Sequence, residues 1–149
     1  MPMHSSMTDS LDIARVEALI DERFPQIHAG GRVFSIEEVG VRRACVRMRH
    51  HERMLRPGGT VSGVAMFSLA DFSVYVAIIA TLGEAGIAAV TTNLNINFLS
   101  KPAARDMTAS VSLIRLGRRL AVGEARLYSE GQSDMAAHAI ATYALPLDR

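Results

Sequence analysis

The chain has 149 residues, 49% of them hydrophobic, a single cysteine and a formal net charge of +1. This is one domain's length, with ample material for a core. The near-balanced charge supplies no large basic surface for nucleic acid, and the lone Cys45 rules out an internal disulfide and points to a reducing compartment.

The first residues, MPMHSSMTDS, lack the apolar core of a secretory signal. Residues 1–9 read as a disordered N-terminus and 10–149 as a single domain, with the cytoplasm as its expected location. Ser10 or Asp9 is placed to cap a first helix. Ile13, Val16, Ile20 and Phe24 recur there at helical spacing, and Pro25 marks its end. It is amphipathic and belongs on the surface. His28 to Arg32, with Gly30 and Gly31, reads as a loop. From Val33 the period changes to two. Phe34 and Ile36 come first, then Ala44, Val46 and Met48 alternate with Arg43, Cys45, Arg47 and Arg49. These are strands with one solvated face, separated or bent at Gly40. His50-His51 lacks a Cys or acidic partner at ligand spacing, so no metal is expected. Arg53 reads as a loop charge.

Pro57-Gly58-Gly59 cannot be helical, but from Gly63 to Leu82 the chain is apolar on every side, and Gly83 supplies the stop. Such a helix is expected to be buried all round. A membrane span of this length is disfavoured by the interruptions at Ser68, Asp71, Ser73 and Thr81, and by the lack of a positively charged flank. An ionised Asp71 in the middle costs several kcal/mol unless it is paired or put to use. From the helix alone, a structural carboxylate and a working one are both open.

Four strand-like segments follow. Thr91 to Leu99 sets Leu94, Ile96 and Phe98 against Asn93, Asn95 and Asn97, and ends at Lys101-Pro102. Met107 to Leu113 leads into a hairpin turn at Leu116-Gly117-Arg118-Arg119. Leu120 to Tyr128 follows, and Glu130-Gly131 turns the chain into Met135 to Leu145. Three consecutive strands on short turns form an antiparallel meander. With one buried helix, the expected class is α+β: a curved antiparallel sheet wrapped around a long central helix, with an amphipathic helix in front.

Gly59-Thr60-Val61-Ser62-Gly63, leading into Ala65-Met66-Phe67-Ser68-Leu69-Ala70-Asp71, resembles the signature of the hotdog-fold acyl-CoA thioesterases of the phenylacetate-degradation (PaaI-like) type. Asn95-Ile96-Asn97-Phe98-Leu99-Ser100-Lys101-Pro102-Ala103 and the turn Leu116-Gly117-Arg118 are similar to the same family. The likeness covers residues 33 to 145. It implies hydrolysis of an acyl-CoA thioester without metal or redox cofactor, with coenzyme A entering only as part of the substrate. Thioester hydrolysis needs donors aimed at the developing oxyanion and a carboxylate that attacks or activates water. The resemblance assigns the first role to the Gly63 amide, at a helix N-terminus with unsatisfied N–H groups. It assigns the second to Asp71, as nucleophile or general base, and gives Thr91 a positioning role beside an equally good reading as an ordinary strand residue.

Gly63 and Asp71 lie about 12 Å apart along one helix at about 1.5 Å per residue. One carbonyl group cannot touch both. The mechanism therefore requires a homodimer, which fits the family's side-by-side dimer; a dimer of dimers, a homotetramer, is the next step up. Many members carry His-Gly-Gly at Ser62-Gly63-Val64 and an asparagine at Arg56. Ser62 still caps the helix, whereas Arg56 cannot accept a hydrogen bond and either orients substrate or points to solvent. Coenzyme A needs cations at a rim and an apolar slot. Lys101, Arg118 and Arg119 lie in the two loops the family uses, around Phe98 and Leu99 and around Leu116 and Gly117. The acyl group is expected near Phe67, Phe72 and Tyr75. No phosphate-binding glycine loop and no Gly-x-Ser-x-Gly elbow occurs. The competing reading is a non-catalytic acyl-CoA-binding protein, a sensor or carrier, in which the missing histidine and asparagine are no loss.

Overall fold

The computed structural model describes residues 9–146. The expected disorder of the N-terminus falls almost wholly on residues outside that range. Helix α1 spans Ile13–Arg23, and its cap is Asp12, whose carboxylate accepts from the Arg15 amide at 2.8 Å. This corrects the expectation of Ser10 or Asp9: the helix begins later, and the residue just before its first turn caps it. Val16, Leu19 and Ile20 form its buried stripe. A 3₁₀ turn, Pro25–His28, follows it.

The sheet is built from β1 (Phe34–Gly40), β2 (Arg43–Met48), β3 (Val90–Phe98), β4 (Met107–Leu116), β5 (Leu120–Ser129) and β6 (Met135–Ala144). They lie in the order β1-β2-β4-β5-β6-β3, antiparallel throughout. The meander is therefore β4-β5-β6, and β3 crosses over to close the far edge beside β6. Helix α2, Gly63–Leu82, runs along the concave face and ends at Gly83 with φ 66°. This is the antiparallel sheet around a central helix that the sequence pattern predicts, and the hotdog architecture that the resemblance implies. The helix is long and apolar enough to cross a membrane by length and composition, but here it is the core of the fold.

The bed under α2 is made of small side chains. Ala121, Gly123 and Ala125 of β5 and Ala137, Ala139 and Ala141 of β6 all face it and are buried. A Cβ at Gly123 would sit 2.7 Å from Val74 Cγ1, so glycine is what lets sheet and helix touch there. The expectation of burial on every side needs correction. Val64 is 81% and Phe67 42% exposed, Ser68 is also exposed, and Asp71 is only half-buried. These residues recur at i, i+3, i+4 and i+7 and form one open stripe on the first half of α2. The basic face of β2 is also less free than its alternation implies. Arg47 donates to Glu37 (2.5 Å) and Glu130 (2.8 Å), with Asp106 at 3.3 Å, across the convex side of the sheet.

The loop after α1 is tied down by His28. Arg32 Nη1 lies 3.0 Å from His28 Nε2; since a guanidinium only donates, Nε2 accepts and the neutral ring carries its proton on the buried Nδ1. Burial, then the Arg32 charge, lowers the His28 pKa below its ordinary 6.5.

Two outcomes follow from this packing. Gly123→Val should destabilise the fold by about 1–3 kcal/mol or more through overpacking against Val74, read as a shifted midpoint in chemical denaturation. The stability tied to neutral His28 is fully present above pH 6.5 and lost as pH falls through its lower folded value. Thermal midpoints recorded from pH 7 downward should therefore decline, and less steeply in His28→Gln.

Candidate active site

Asp71 sits midway along α2, on the side facing the β6–β3 edge of the sheet. Thr91 Oγ1 donates to Asp71 Oδ1 at 2.7 Å, and the Tyr143 hydroxyl lies 2.8 Å from both Oδ1 and the Asp71 carbonyl oxygen. One carboxylate oxygen is thus held by two hydroxyls, while Oδ2 has no hydrogen-bond donor among the described residues. Burial, reinforced by the Asp71 charge, pushes the Tyr143 pKa well above the usual tyrosine range. Tyr143 therefore stays a hydroxyl and a donor.

Strict alternation back from Asn93 would turn Thr91 away from the helix. The β3–β6 pairing slips between Thr91 and Asn93, so Thr91 pairs with Tyr143 while Asn93 pairs with Thr142. This bulge brings Thr91 onto the concave side with Tyr143. Tyr143 itself escaped the sequence reading. The signal for it is the inward row of β6: Ala137, Ala139 and Ala141 are all small, and the next inward residue is a tyrosine.

Asp71 lines a cavity of about 570 Å³, with Thr91 and Tyr143 beside it and Phe24, Phe72 and Tyr75 further out. Phe72 and Tyr75 thus stand where an acyl group was expected. Phe67 does not: it lies on the open stripe of α2 and does not line this cavity.

A second cavity, about 290 Å³, opens at the N-terminus of α2 and gathers Arg56, Gly63, Met66, Phe98 and Lys101. Ser62 caps the helix, accepting from the Ala65 amide at 3.1 Å. The first intrahelical bond runs from the Met66 amide to the Ser62 carbonyl, so the Gly63 and Val64 amides lie ahead of the ladder. The Phe98 ring covers Gly63, where an added Cβ would come within 3.0 Å of it. Arg56 is exposed and borders this cavity. Arg53 donates instead to the Gly30 carbonyl at 2.8 Å.

The two cavities share no lining residue. Gly63 belongs to one and Asp71 to the other, as their spacing along α2 dictates. The cations divide likewise. Lys101 follows the end of β3, whereas Arg119 sits at the β4–β5 turn, its carbonyl accepting from the Leu145 amide at 2.8 Å, near the start of β3. Within one chain, Leu116, Gly117, Arg118 and Arg119 therefore lie at the opposite end of the sheet from Phe98, Leu99 and Lys101, and they line neither cavity. Leu99 is 58% exposed beside the second cavity rather than lining it. Among the described residues, no three His, Cys, Asp or Glu side chains converge as a metal site.

Comparison with known proteins agrees with this architecture. A family model described as Thioesterase superfamily matches residues 58–136. A thioesterase candidate from Silicibacter sp. TM1040 is 41% identical over 95% of this chain and 96% of its own, with a TM-score of 0.81. Zebra fish thioesterase superfamily member 2 shares the fold at 20% identity, covering 92% of this chain and 100% of its own with a TM-score of 0.75. A mutant of the phenylacetic acid degradation protein PaaI from Thermus thermophilus does so at 23% identity, 82% and 99% coverage and a TM-score of 0.69. The comparison with curated proteins returns no match. On the family match and the 41% identity across nearly the whole chain, this protein belongs to the thioesterase superfamily and has its hotdog fold.

Proposed function

We propose that this protein is an acyl-CoA thioesterase, acting as a homodimer with two equivalent sites that each join Asp71 of one chain to the Gly63 amide of the other. The observation that carries this reading is the carboxylate itself. Asp71 has one oxygen fixed by Thr91 and Tyr143, and the residue lines a cavity of substrate size. A ligand-binding protein has little reason to keep a half-buried anion facing a thioester, so the arrangement favours catalysis over the carrier reading.

In the proposed reaction the thioester carbonyl carbon lies beside Asp71 Oδ2. The carboxylate attacks it directly, or takes a proton from a water that attacks. The carbonyl oxygen gains the negative charge and accepts a hydrogen bond from the partner subunit's Gly63. Collapse of the tetrahedral species breaks the C–S bond, releasing coenzyme A. On the direct route, water then hydrolyses the acyl-aspartyl anhydride. Either way one water is consumed, and free acid and CoA are the products. Water and the CoA thioester are all this chemistry requires. Thr91 and Tyr143 orient the carboxylate and take no part in the bond changes.

Dimerisation is supported by what the single chain leaves open. The α2 stripe exposes Val64 and Phe67, and β3, an edge strand, exposes Val90 and Phe98, with Leu99 just beyond it. A second copy laid antiparallel against this edge would cover the apolar side chains. It would also bring the Gly63 cavity of one chain to the Asp71 cavity of the other. Lys101 and Arg56 of one protomer, with Arg118 and Arg119 of its partner, would then be available to the CoA phosphates. A dimer of dimers is compatible with the same pairing. Burial of the apolar helix inside the fold suits a protein working in the cytoplasm.

The test is thiol release from a panel of acyl-CoAs. Asp71→Asn should remain a folded dimer and lose about 10²-fold or more of kcat; undiminished turnover would sink the proposal. Tyr143→Phe should lower kcat by about 5- to 10-fold with little change in KM, the effect of losing one hydrogen bond to the carboxylate. Asp71→Asn and Gly63→Val chains, each inactive alone, should regain roughly a quarter of wild-type activity when co-refolded. Half of the dimers are then mixed, and each mixed dimer has one intact site. A failure to complement, with mixed dimers confirmed by mass, would contradict a shared site.

A further inference from the structure

We propose that the cavity outside Asp71 holds an acyl chain of medium length, and that the turn after α1, through Phe24 and Ile27, sets the length limit. This deepens the acyl-CoA reading and rests on it.

The wall of the cavity is a row of three rings that starts at the carboxylate. Tyr143 touches Asp71 through its hydroxyl and stacks on Tyr75, with centroids 6.1 Å apart and planes 18° apart. Tyr75 meets Phe24 edge-on at 5.9 Å and 88°. From Tyr143 to Phe24 the row is therefore at most 12.0 Å long. An extended backbone of three bonds per residue spans at most ~3.3–3.6 Å, about 1.2 Å per bond, so this wall matches an extended chain of about eight to ten carbons. Ile27, on the 3₁₀ turn that follows Phe24, also lines the cavity.

The hydroxyl protons along this wall are already engaged, and one N–H of Arg23 is too. The Tyr75 hydroxyl donates to the Ile87 carbonyl at 2.6 Å, and Ser68 Oγ donates to the Ala65 carbonyl at 2.8 Å. Arg23, at the rim, is paired with Glu84 at 2.9 Å. The rest of the lining along this wall, Ile27, Phe72, Ile87, Ala89 and Val90, is apolar and suits a hydrocarbon chain. The end wall is also firmly placed. The Arg23–Glu84 pair ties the end of α1 to the turn after α2, and Arg53 holds the Gly30 carbonyl just past the Pro25–His28 turn.

The deciding experiment measures kcat/KM for linear acyl-CoAs from two to sixteen carbons and an arylacetyl ester. In parallel, thermal stabilisation by non-hydrolysable S-alkyl-CoA thioethers of graded length is recorded. Wild type should peak at about eight to ten carbons. Phe24→Ala should move the peak to longer chains. Ala88→Phe, at an exposed position on the cavity lining, should move it to shorter ones without depending on how Phe24→Ala folds. Both shifts should recur in the thioether series. A wild type that turns over acyl-CoA with a profile unchanged in both variants, or that prefers the arylacetyl ester to every linear chain, overturns the proposal. If no ester is hydrolysed but thioether binding keeps the length dependence and both shifts, the cavity assignment stands and the hydrolytic reading fails. The absence of both leaves neither.

Discussion

A carboxylate drawn partly out of water needs donors, and Asp71 takes both of its own from the far edge of the sheet, Thr91 from β3 and Tyr143 from β6. That requirement reaches back through the fold. For the two hydroxyls to meet α2, β3 must lie beside β6 at the sheet's end, and the helix must sit low on the sheet. The low seat comes from the alanines and the glycine of β5 and β6, which keep the two layers close over most of their length. Where the alanine row of β6 ends, Tyr143 rises to the carboxylate.

The same helix separates the two groups to which the proposed function gives the chemistry. Its N-terminus offers amides ahead of the hydrogen-bonded ladder, its middle offers a carboxylate, and its rigidity keeps them in different cavities. A straight helix cannot bring its own two ends of reactivity onto one carbonyl group. Under the proposed function, association is therefore what assembles the site. The open stripe of Val64, Phe67 and Ser68 marks where the helix stops being core and becomes surface.

Much of this was legible in the residues. Period-two alternation located the strands, and Gly63 and Gly83 bounded the helix. The combination of Ser62-Gly63, Asp71 and the Phe98–Lys101 loop pointed to the family. The failures have physical causes. All-round apolarity on α2 does not distinguish burial in a fold from exposure along one stripe, since Val64 and Phe67 look the same in either setting. Asp12 rather than Ser10 caps α1, because several capping residues stood in a row and only the packing of Val16 and Ile20 chooses among them. Tyr143 lay hidden because a tyrosine near a strand's end carries no signal until its neighbours are known to pack against a helix bearing an acid. Within one chain Lys101 and Arg118 lie at opposite ends of the sheet, a placement that the sequence does not reveal. Sequence proximity to family loops does not say which protomer supplies each loop.

The bulge between Thr91 and Asn93 reaches beyond the placing of one hydroxyl. It sets one extra residue, Thr92, between the part of β3 that serves the carboxylate and the part that forms the exposed edge. The two parts are thereby out of phase with each other, and each keeps its own alternation. Along the edge, Asn93, Asn95 and Asn97 face outward while Leu94 and Ile96 lean on the core, whatever Thr91 does. The single inserted residue acts as a clutch: a change along the edge and a change at the hydroxyl leave each other's alternation intact within one nine-residue strand.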